Sequence, residues 1–507
     1  MARRGRAEKH SQAAAPAVKR VDYTRLINTL PRARAFSDDQ IEAIHDASLR
    51  VLEELGIRVL HAEGREILRA AGCEIRDEMM VHLPRALVEE RVAMAPSAFT
   101  WRGGHGFELE VTQETLFFGP GAGCPNVTDL DRGRRPGDFA AFTDFVKLQE
   151  HFDAIGKLGP SAEPQEVALP VRHYATTKAQ VALSRKVPWV YARGTGQVED
   201  SLEIIRIARG VSEAEFRTAP YASTVINTNS PRQLDVPMTQ GIIDFARWGQ
   251  VAVITPFCLS GAMAPITIAG SLTLSHAEAM AGITLSQIVR PGCPVVYGAF
   301  SSNVDMKSGA PVFGTPEHIQ TNFGAGQLAR RVGIPWRSAA GTAANSPDVQ
   351  ADLETQLALW GAVLAGANMI FHAAGWLEGG LTCSYEKFVT DLEACQTIAE
   401  AMRPVDASAE AIGFDAIAEV EPGGHFFAAS QTMDRYATQF YEPMIRDWSN
   451  FGQWTEAGSI DATRRANAKW KEVLAGFTPP PMDEAVREEI DAFIARRTEE
   501  GGAHPLD

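Results

Sequence analysis

Cysteine is scarce in this sequence. Only 6 cysteines occur among 507 residues, and none of them belongs to a C-x-x-C pair. This number is too small for a disulfide scaffold in a chain of this length, and the spacing does not match a zinc–thiolate site. The residues around the cysteines are mostly apolar, which is typical of buried thiols in a reducing compartment. We therefore expect a cytoplasmic protein whose cysteines are buried and free.

Long apolar runs and an excess of basic charge are also missing. No run of about 18 apolar residues is present to span a membrane, so we expect no membrane association. With 48 basic and 63 acidic residues the net charge is −15, which disfavours nucleic acid as a partner because phosphates need a basic face. Residues 1–20 are locally basic, but no apolar segment follows Arg3 and Arg4. They are predicted to form a disordered basic tail rather than a signal peptide.

Apolar residues are plentiful, at 45% of the chain, and they recur in short runs separated by helical patterns. This alternation predicts a parallel sheet, and a count of eight strands favours a (β/α)8 TIM barrel over a doubly wound open sheet. We predict an α/β protein with a mixed α+β extension over 21–150, a TIM-barrel catalytic domain over 151–450 and C-terminal helices over 451–507. The predicted strands begin near Ile155, Trp189, Ala222, Val251, Pro294, Ile334, Met369 and Gly413.

Several helix boundaries can be predicted from capping residues. Ser37 begins a capping box that Gln40 completes. Thr315 and Ser346 each precede a proline that suits the first position of a helix. In the C-terminal segment the pattern predicts two helices, Asp461–Leu474 and Glu484–Arg496.

No common catalytic motif is present, so the barrel model directs attention to the carboxyl ends of its strands, where TIM-barrel enzymes carry their chemistry. Near the seventh predicted strand lie His372, Trp376 and Glu378. A tryptophan face attracts an organic cation, and a nearby carboxylate adds Coulomb attraction. The alternative is a packing tryptophan beside an acid at a helix start.

Four further candidates follow other predicted strands. His425 comes after Gly423 and Gly424, which let a ligand approach the backbone closely, although the same glycines suit a plain turn. Phe257, Arg193 and Asn227 follow earlier strands. The predicted substrate-binding set is therefore Trp376, Glu378, His372, Phe257, Arg193, Asn227 and His425. These strand ends offer no cysteine–histidine cluster, so we expect no catalytic metal ion, and no catalytic side chain is assigned.

Five segments of the chain resemble signatures of the corrinoid-dependent trimethylamine methyltransferase family. Matching segments run in order from about Ser37 to Phe477. The resemblance implies a TIM barrel that transfers a methyl group from an amine to the cobalt of a separate corrinoid protein, with no tightly bound cofactor of its own. The segments are 255–270, 290–298, 345–351, 365–370 and 421–426.

One departure from that family concerns the substrate. The archaeal trimethylamine enzymes carry pyrrolysine, whereas this chain has only the twenty standard residues. A tertiary amine is a poor methyl donor unless its nitrogen is first activated, but a quaternary ammonium leaves as a neutral amine. The chain therefore resembles the non-pyrrolysine branch, whose substrates include glycine betaine and related betaines.

The resemblance and the strand ends together suggest roles for the candidate residues. We expect Trp376, Phe257 and Glu378 to hold the ammonium group of a betaine. Arg193, Asn227 and His372 would bind a carboxylate or orient the substrate. No role follows for His425.

Two alternatives stay open at this point, and one expectation concerns assembly. The chain could be a betaine-binding or regulatory barrel that transfers no methyl group, or a lyase or aldolase that uses Lys157 as a Schiff-base lysine. A homo-oligomer is expected from the family resemblance and from the apolar residues of the C-terminal segment. These are Phe477, Ile490, Phe493 and Ile494.

Overall fold

The strand–helix alternation forms a mixed α/β fold around a seven-stranded sheet. The computed structural model describes residues 21–506, and the predicted tail at 1–20 lies outside them. Six strands of the sheet are parallel, and a short strand, Leu26–Ile27, pairs antiparallel at one edge. In sheet order the strands are Leu26–Ile27, Thr115–Phe118, Met369–Phe371, Trp336–Ala339, Val295–Gly298, Val251–Pro256 and Ser223–Thr228.

Two of the predicted strands are present only as single pairings. The segments near Ile155 and Trp189 make isolated parallel bridges rather than continuous strands. These bridges join Ser223 to Trp189, Val187 to Lys157, and Ile155 to Phe118. The prediction placed these segments correctly along the chain but overstated their regularity.

The prediction of a strand near Gly413 is wrong. This segment folds as two short helices, Ala409–Ile412 and Phe414–Ala418, with Ser408 accepting a hydrogen bond as the first N-cap and Gly413 at φ 67° between them. The parallel strand that the prediction lacked is Thr115–Phe118, which lies in the segment assigned to the N-terminal extension. Its four residues are all buried, and a continuous apolar run is typical of a strand covered on both faces.

The capping predictions are mostly confirmed. Ser37 and Gln40 form the predicted capping box, and Thr315 accepts from the backbone N–H of His318. Ser346 is wrong as a cap, because the carboxylate of Asp348 accepts from two backbone N–H groups instead. The main helices are Asp38–Arg50, Ala62–Ala70, Arg85–Val92, Phe139–His151, Leu169–Leu183, Thr195–Arg209, Val236–Trp248, Ile268–Val289, Pro316–Val332, Val349–Ala365, Tyr385–Ala401, Ala462–Ala475 and Glu484–Glu499.

Between residues 21 and 506, four smaller sheets accompany the central one. A hairpin of Phe99–Arg102 and Glu108–Val111 packs its Trp101 against Phe117 of the central sheet, with ring centres 5.9 Å apart. A second small sheet contains the strands Ile57–Val59, Glu74–Arg76, Met80–His82 and Gln233–Leu234. A third contains Asn126–Thr128, Arg135–Pro136, Trp376–Leu377 and Thr382–Ser384. The fourth contains Leu259–Ser260, Ser302–Val304 and Pro311–Val312.

The hairpin contributes to an apolar cluster that includes residues near the amino ends of the parallel strands. Trp101 and Leu109 join Val251, Val296 and Met369 there. Among residues 21–506, none of the helices combines the length and the apolar character that a membrane span needs.

Candidate functional site

A cavity of about 400 Å³ lies at the carboxyl ends of the parallel strands. Five of the seven predicted residues line it: Trp376, His372, Phe257, Arg193 and Asn227. The wall also contains Trp189, Tyr191, Phe300, Phe371 and Arg337. Larger cavities, of about 700 and 680 Å³, lie among helices near Arg435 and Arg446. We place the site at the strand ends, because ligands of parallel α/β sheets bind there.

Arg337 occupies the interior of the sheet beneath this cavity. It is the second residue of strand Trp336–Ala339, and its side chain is 1% exposed. Its Nη2 donates to Nε2 of His372 over 3.0 Å, and its guanidinium carbon lies 5.3 Å from the ring centre of Phe300 and 4.9 Å from that of Phe371. Burial lowers the pKa of Arg337. Its Nε and Nη1 have no hydrogen-bond partner among residues 21–506.

His372 is held neutral in a single tautomer. Burial, and then the charge of Arg337, keeps the pKa of His372 well below its usual range. A guanidinium can only donate, so Nε2 of His372 must accept and the proton resides on Nδ1. No acceptor for that Nδ1 is found in the described part of the chain. The residue adopts φ 57°, the left-handed region in which histidine is several-fold enriched over most other side chains.

Trp376 is fixed by an imidazole and by glycines. Its indole stacks on the ring of His372, with centres 4.3 Å apart and an angle of 16° between the planes. A Cβ added at Gly341 would lie 2.0 Å from the indole, and one at Gly380 would lie 2.5 Å from it. The glycines thus leave room for the ring. Because His372 covers one face of the indole, that face is not free to contact an ammonium group.

Lys157 is a second buried cation next to the cavity wall. Its Nζ lies 4.7 Å from the ring centre of Trp189 and 5.1 Å from that of Phe371, and it donates to the carbonyl oxygen of Leu158 over 2.9 Å. Burial and the nearby charge of Arg337 lower the pKa of Lys157 to about 7. In this environment a bound anion would favour the charged form of the amine.

Arg193 already has a carboxylate partner in the protein. Glu163 accepts from Arg172 over 2.7 Å, from Arg193 over 3.1 Å and from the hydroxyl of Tyr191 over 3.0 Å. Burial would raise the pKa of Glu163, but the charges and hydrogen bonds of these neighbours outweigh it and lower the pKa. Asn227 is exposed in the cavity wall. Arg193 is therefore less available to a substrate carboxylate than the sequence suggested.

Glu378, which was predicted to bind the ammonium group, likewise has a charged partner within the protein. Its carboxylate accepts from Nε of Arg134 over 2.9 Å and from Nη2 over 3.0 Å, so a protein cation already neutralises it. Phe257, by contrast, is half-buried in the cavity wall and lies 4.9 Å from the ring of Phe300. Of the two aromatic residues proposed for the ammonium, Phe257 and Trp376, Phe257 has the more accessible ring.

The structure does not bring His425 to the cavity. His425 is exposed and lies beside Phe427, just before the short 3-10 turn Phe426–Ala428. Its assignment depended on the strand predicted near Gly413, and that segment is helical. With no strand to carry it to the sheet, the glycine pair before His425 makes a surface turn.

Arg337 was not predicted as a site residue from the sequence, and Lys157 was a candidate only as a Schiff-base lysine. The signal for Arg337 was a charged residue inside the mostly apolar run Ile334–Ala339, three residues after its start. A charge at such a position is expensive unless it is paired or functional. Arg337 lies inside its strand, so a search of strand ends alone does not include it.

Comparison with known proteins gives consistent matches over most of the chain. The model of the trimethylamine methyltransferase (MTTB) family matches residues 2–502. The glycine betaine methyltransferase of Desulfitobacterium hafniense strain Y51 is 32% identical over 478 residues, covering 93% of this chain and 99% of that protein. The trimethylamine methyltransferase MttB2 of Methanosarcina mazei is 30% identical, covering 90% and 94%. The crystal structure of the monomethylamine methyltransferase (MtmB) of Methanosarcina barkeri covers 89% of this chain and 97% of its own, with TM-score 0.44 and 10% identity.

Proposed function

The chain belongs to the trimethylamine methyltransferase (MTTB) family, and we propose that it transfers a methyl group from glycine betaine or a related small betaine to the Co(I) of a separate corrinoid protein. The observation that carries this proposal is the cavity at the strand ends. Its volume of about 400 Å³ suits a small organic molecule, and aromatic side chains form much of its wall. Such rings bind a quaternary ammonium by cation–π attraction and by excluding water.

The proposed methyl transfer requires no acid–base or nucleophilic catalysis by the protein's own side chains. The partner's corrinoid supplies the cobalt nucleophile that accepts the methyl group. The bond between the methyl carbon and nitrogen breaks, its electron pair stays on nitrogen, and the product is a neutral tertiary amine. No proton moves, so the chain needs no general acid or base. Its residues bind the betaine, orient one N-methyl group outwards and exclude water.

We also propose that the parallel strands close into a (β/α)8 barrel. Three single bridges lead from the edge strand Ser223–Thr228, through two short extended segments, to Thr115–Phe118 at the other side of the parallel strands. Together with the six parallel strands these segments make eight, the number in a TIM barrel. The catalytic domain would then span 151–450, as the sequence suggests, with one strand contributed by the extension at 21–150.

We also propose a homo-oligomer, but with an interface other than the C-terminal segment that the sequence suggested. Ile490 is buried, and Phe493 and Ile494 pack against the core of the same chain, so the C-terminal helix is not the exposed apolar surface. Several aromatic residues between 414 and 451 are instead 67–82% exposed: Phe414, Phe427, Phe440, Trp448 and Phe451. Five aromatic rings of roughly 150–250 Å² each provide about the 800 Å² per partner of a standard interface. Sedimentation showing only a 55.0 kDa species at micromolar concentration would contradict this.

The proposed location is the cytoplasm. All six cysteines are buried and free, and such thiols persist in a reducing compartment.

The test of the function is a methyl-transfer assay with a reduced corrinoid protein. Purified protein is mixed with the Co(I) corrinoid protein and one amine at a time, and the loss of the Co(I) absorbance is followed. We expect glycine betaine or another betaine to consume Co(I) and to yield the corresponding tertiary amine. If betaines bind by calorimetry but no corrinoid protein is methylated, the binding or regulatory alternative is favoured.

Lys157 favours a second candidate, the Schiff-base lyase or aldolase. Its pKa of about 7 is typical of lysines that form Schiff bases. Borohydride trapping of a carbonyl substrate on Lys157 would support this candidate. Family membership favours methyl transfer, and we therefore expect no trapped adduct.

A further inference from the structure

The walls of the cavity contain buried hydrogen-bond donors but lack acceptors for them. Within residues 21–506, five nitrogen atoms of wall residues have no partner: Nε and Nη1 of Arg337, Nδ1 of His372, and Nε1 of Trp189 and Trp376. Each of them is a donor, including His372 Nδ1, because Nε2 accepts from Arg337. Buried donors are seldom left unpaired in folded proteins. The shared need of these five groups is for an acceptor.

The same region has an excess of positive charge. Arg337 and Lys157 both contact the ring of Phe371, at 4.9 and 5.1 Å from its centre. Within residues 21–506 we find no carboxylate paired with either of them, whereas Arg193 pairs with Glu163. A simple organic cation placed beside Arg337 would be repelled, and an anionic group would be attracted. This arrangement is unexpected for a site whose only task is to hold an ammonium group.

We propose that Arg337, supported by Lys157 and His372, is the receptor for the carboxylate of the substrate. The carboxylate would accept a charge-assisted hydrogen bond from Arg337, at Nε or at Nη1, both of which lack a partner within residues 21–506. These two groups lie on different edges of the guanidinium, so one carboxylate would bind to one of them and not to both as a pair. This inference rests on the proposed function, which already names betaines, and adds to it the residue that recognises their carboxylate. Cations without an anionic group, such as choline, are then poor substrates.

The receptor also sets the direction in which the substrate lies. Arg337 is near the apolar layer at the inner end of the cavity, because its guanidinium packs on Phe371. In glycine betaine only one methylene separates the carboxylate from the nitrogen. With the carboxylate inside, the trimethylammonium group lies towards the mouth, beside the more accessible ring of Phe257. Its methyl groups then face the side from which a second protein can approach.

The first experiment compares three ligands on the unmodified protein by calorimetry. Glycine betaine carries both charges, choline carries only the cation, and 3,3-dimethylbutanoate has the shape of glycine betaine but only the anion. We expect 3,3-dimethylbutanoate to bind, and choline to bind about 10- to 100-fold more weakly than glycine betaine, the range expected for losing hydrogen bonds to a charged group. Choline binding within threefold of glycine betaine would overturn the proposal.

The second experiment uses matched arginine variants. Arg337→Gln should weaken the binding of 3,3-dimethylbutanoate at least 10-fold. Arg337→Lys should weaken this binding less, because the positive charge is kept. Arg209→Gln is the control, since Arg209 is also largely buried and has two unpartnered nitrogens within residues 21–506, yet it lies beside Gly104 outside the cavity wall. An unchanged affinity of Arg337→Gln for 3,3-dimethylbutanoate would contradict the proposal that Arg337 binds the carboxylate. If that variant does not fold, the ligand comparison on the unmodified protein still decides.

The two proposals fail in different ways. The compound 3,3-dimethylbutanoate has no N-methyl group to give, so its binding reports only on the anion receptor. If it binds through Arg337 while no corrinoid protein is methylated, the proposed function falls and the receptor stands. If betaine and choline are demethylated equally well, methyl transfer stands and the receptor falls.

Discussion

Arg337 donates from Nη2 to Nε2 of His372 over 3.0 Å, and this bond joins the two side chains that set the character of the site. His372 is thereby held as the neutral Nδ1–H tautomer, and its ring in turn stacks on Trp376. The guanidinium, the imidazole and the indole are therefore buried groups in which each contacts the next. A change at one member is therefore expected to move the next.

The first prediction concerns His372. His372→Asn keeps a residue type that tolerates φ 57°, but the shorter side chain does not reach Arg337. We expect the dissociation constant of glycine betaine to rise about 10- to 100-fold, because a hydrogen bond to a buried charge contributes roughly 1.5–3 kcal/mol. The control is His105→Asn, at an exposed residue with φ 53° outside the cavity. Equal affinity of the two variants in calorimetry would show that His372 does not position Arg337.

The second prediction tests the glycine that leaves room for Trp376. Gly341→Ala places a Cβ 2.0 Å from the indole, whereas Gly333→Ala, also at positive φ, meets no atom within 4 Å. Both pay for the backbone conformation, but only the first adds overpacking, which costs about 1–3 kcal/mol. Denaturant unfolding should therefore show a larger loss of stability in Gly341→Ala. Equal losses would mean that the indole moves aside freely.

The sequence was a good guide to local structure and a poorer guide to side-chain partners. Capping at Ser37 and Thr315 follows from hydrogen bonds within four residues, so it could be predicted from the sequence alone. The place of Thr115–Phe118 in the central sheet could not, because its partner Met369–Phe371 lies some 250 residues later in the chain. The false strand near Gly413 has the same origin, since an apolar run does not reveal whether a partner strand exists.

For the site, the sequence indicated the correct end of the sheet but not the charge balance. Arg193 and Glu378 looked like ligands because their partners, Glu163 and Arg134, are distant in sequence. Arg337 was not among the candidates, because it lies inside its strand and not at the strand end. Which charge is free for a substrate depends on tertiary pairing, and one sequence does not show that pairing.

The third prediction separates Glu378 from the substrate. Its carboxylate is paired with Arg134, whose side chain is 51% exposed, and a partly exposed pair of this kind contributes about 0–1 kcal/mol. Glu378→Gln should therefore change the Michaelis constant for glycine betaine by less than about fivefold. The double variant Glu378→Gln with Arg134→Gln serves as the control for losing the pair as a whole. A loss of more than tenfold in the single variant would restore the ammonium role suggested by the sequence.

The fourth prediction is a pH dependence of anion binding. In the free protein the pKa of Lys157 is about 7, lowered by burial and by Arg337, while His372 stays neutral. A bound carboxylate stabilises the charged amine and raises that pKa, so binding takes up a proton above pH 7. Affinity for 3,3-dimethylbutanoate should then increase as the pH falls from 8.5 to 7, by at most tenfold per unit, and level off below. Calorimetry of Lys157→Met should give a flat profile; the same slope in that variant would assign the proton elsewhere.

The last prediction concerns the nitrogen of the substrate. Glycine betaine should outperform trimethylamine by orders of magnitude in methyl transfer to the same corrinoid protein. A quaternary nitrogen keeps its charge at every pH and leaves as a neutral amine, whereas trimethylamine is charged only when protonated. Burial close to Arg337 would favour loss of that proton, and trimethylamine has no carboxylate to offset the positive charge of the cavity. The measurement is the initial rate of Co(I) consumption at equal amine concentrations. Dimethylglycine, which has the carboxylate but a tertiary nitrogen, is the matched control and should bind yet transfer little; comparable rates for trimethylamine and glycine betaine would refute both the quaternary requirement and the part assigned to Arg337.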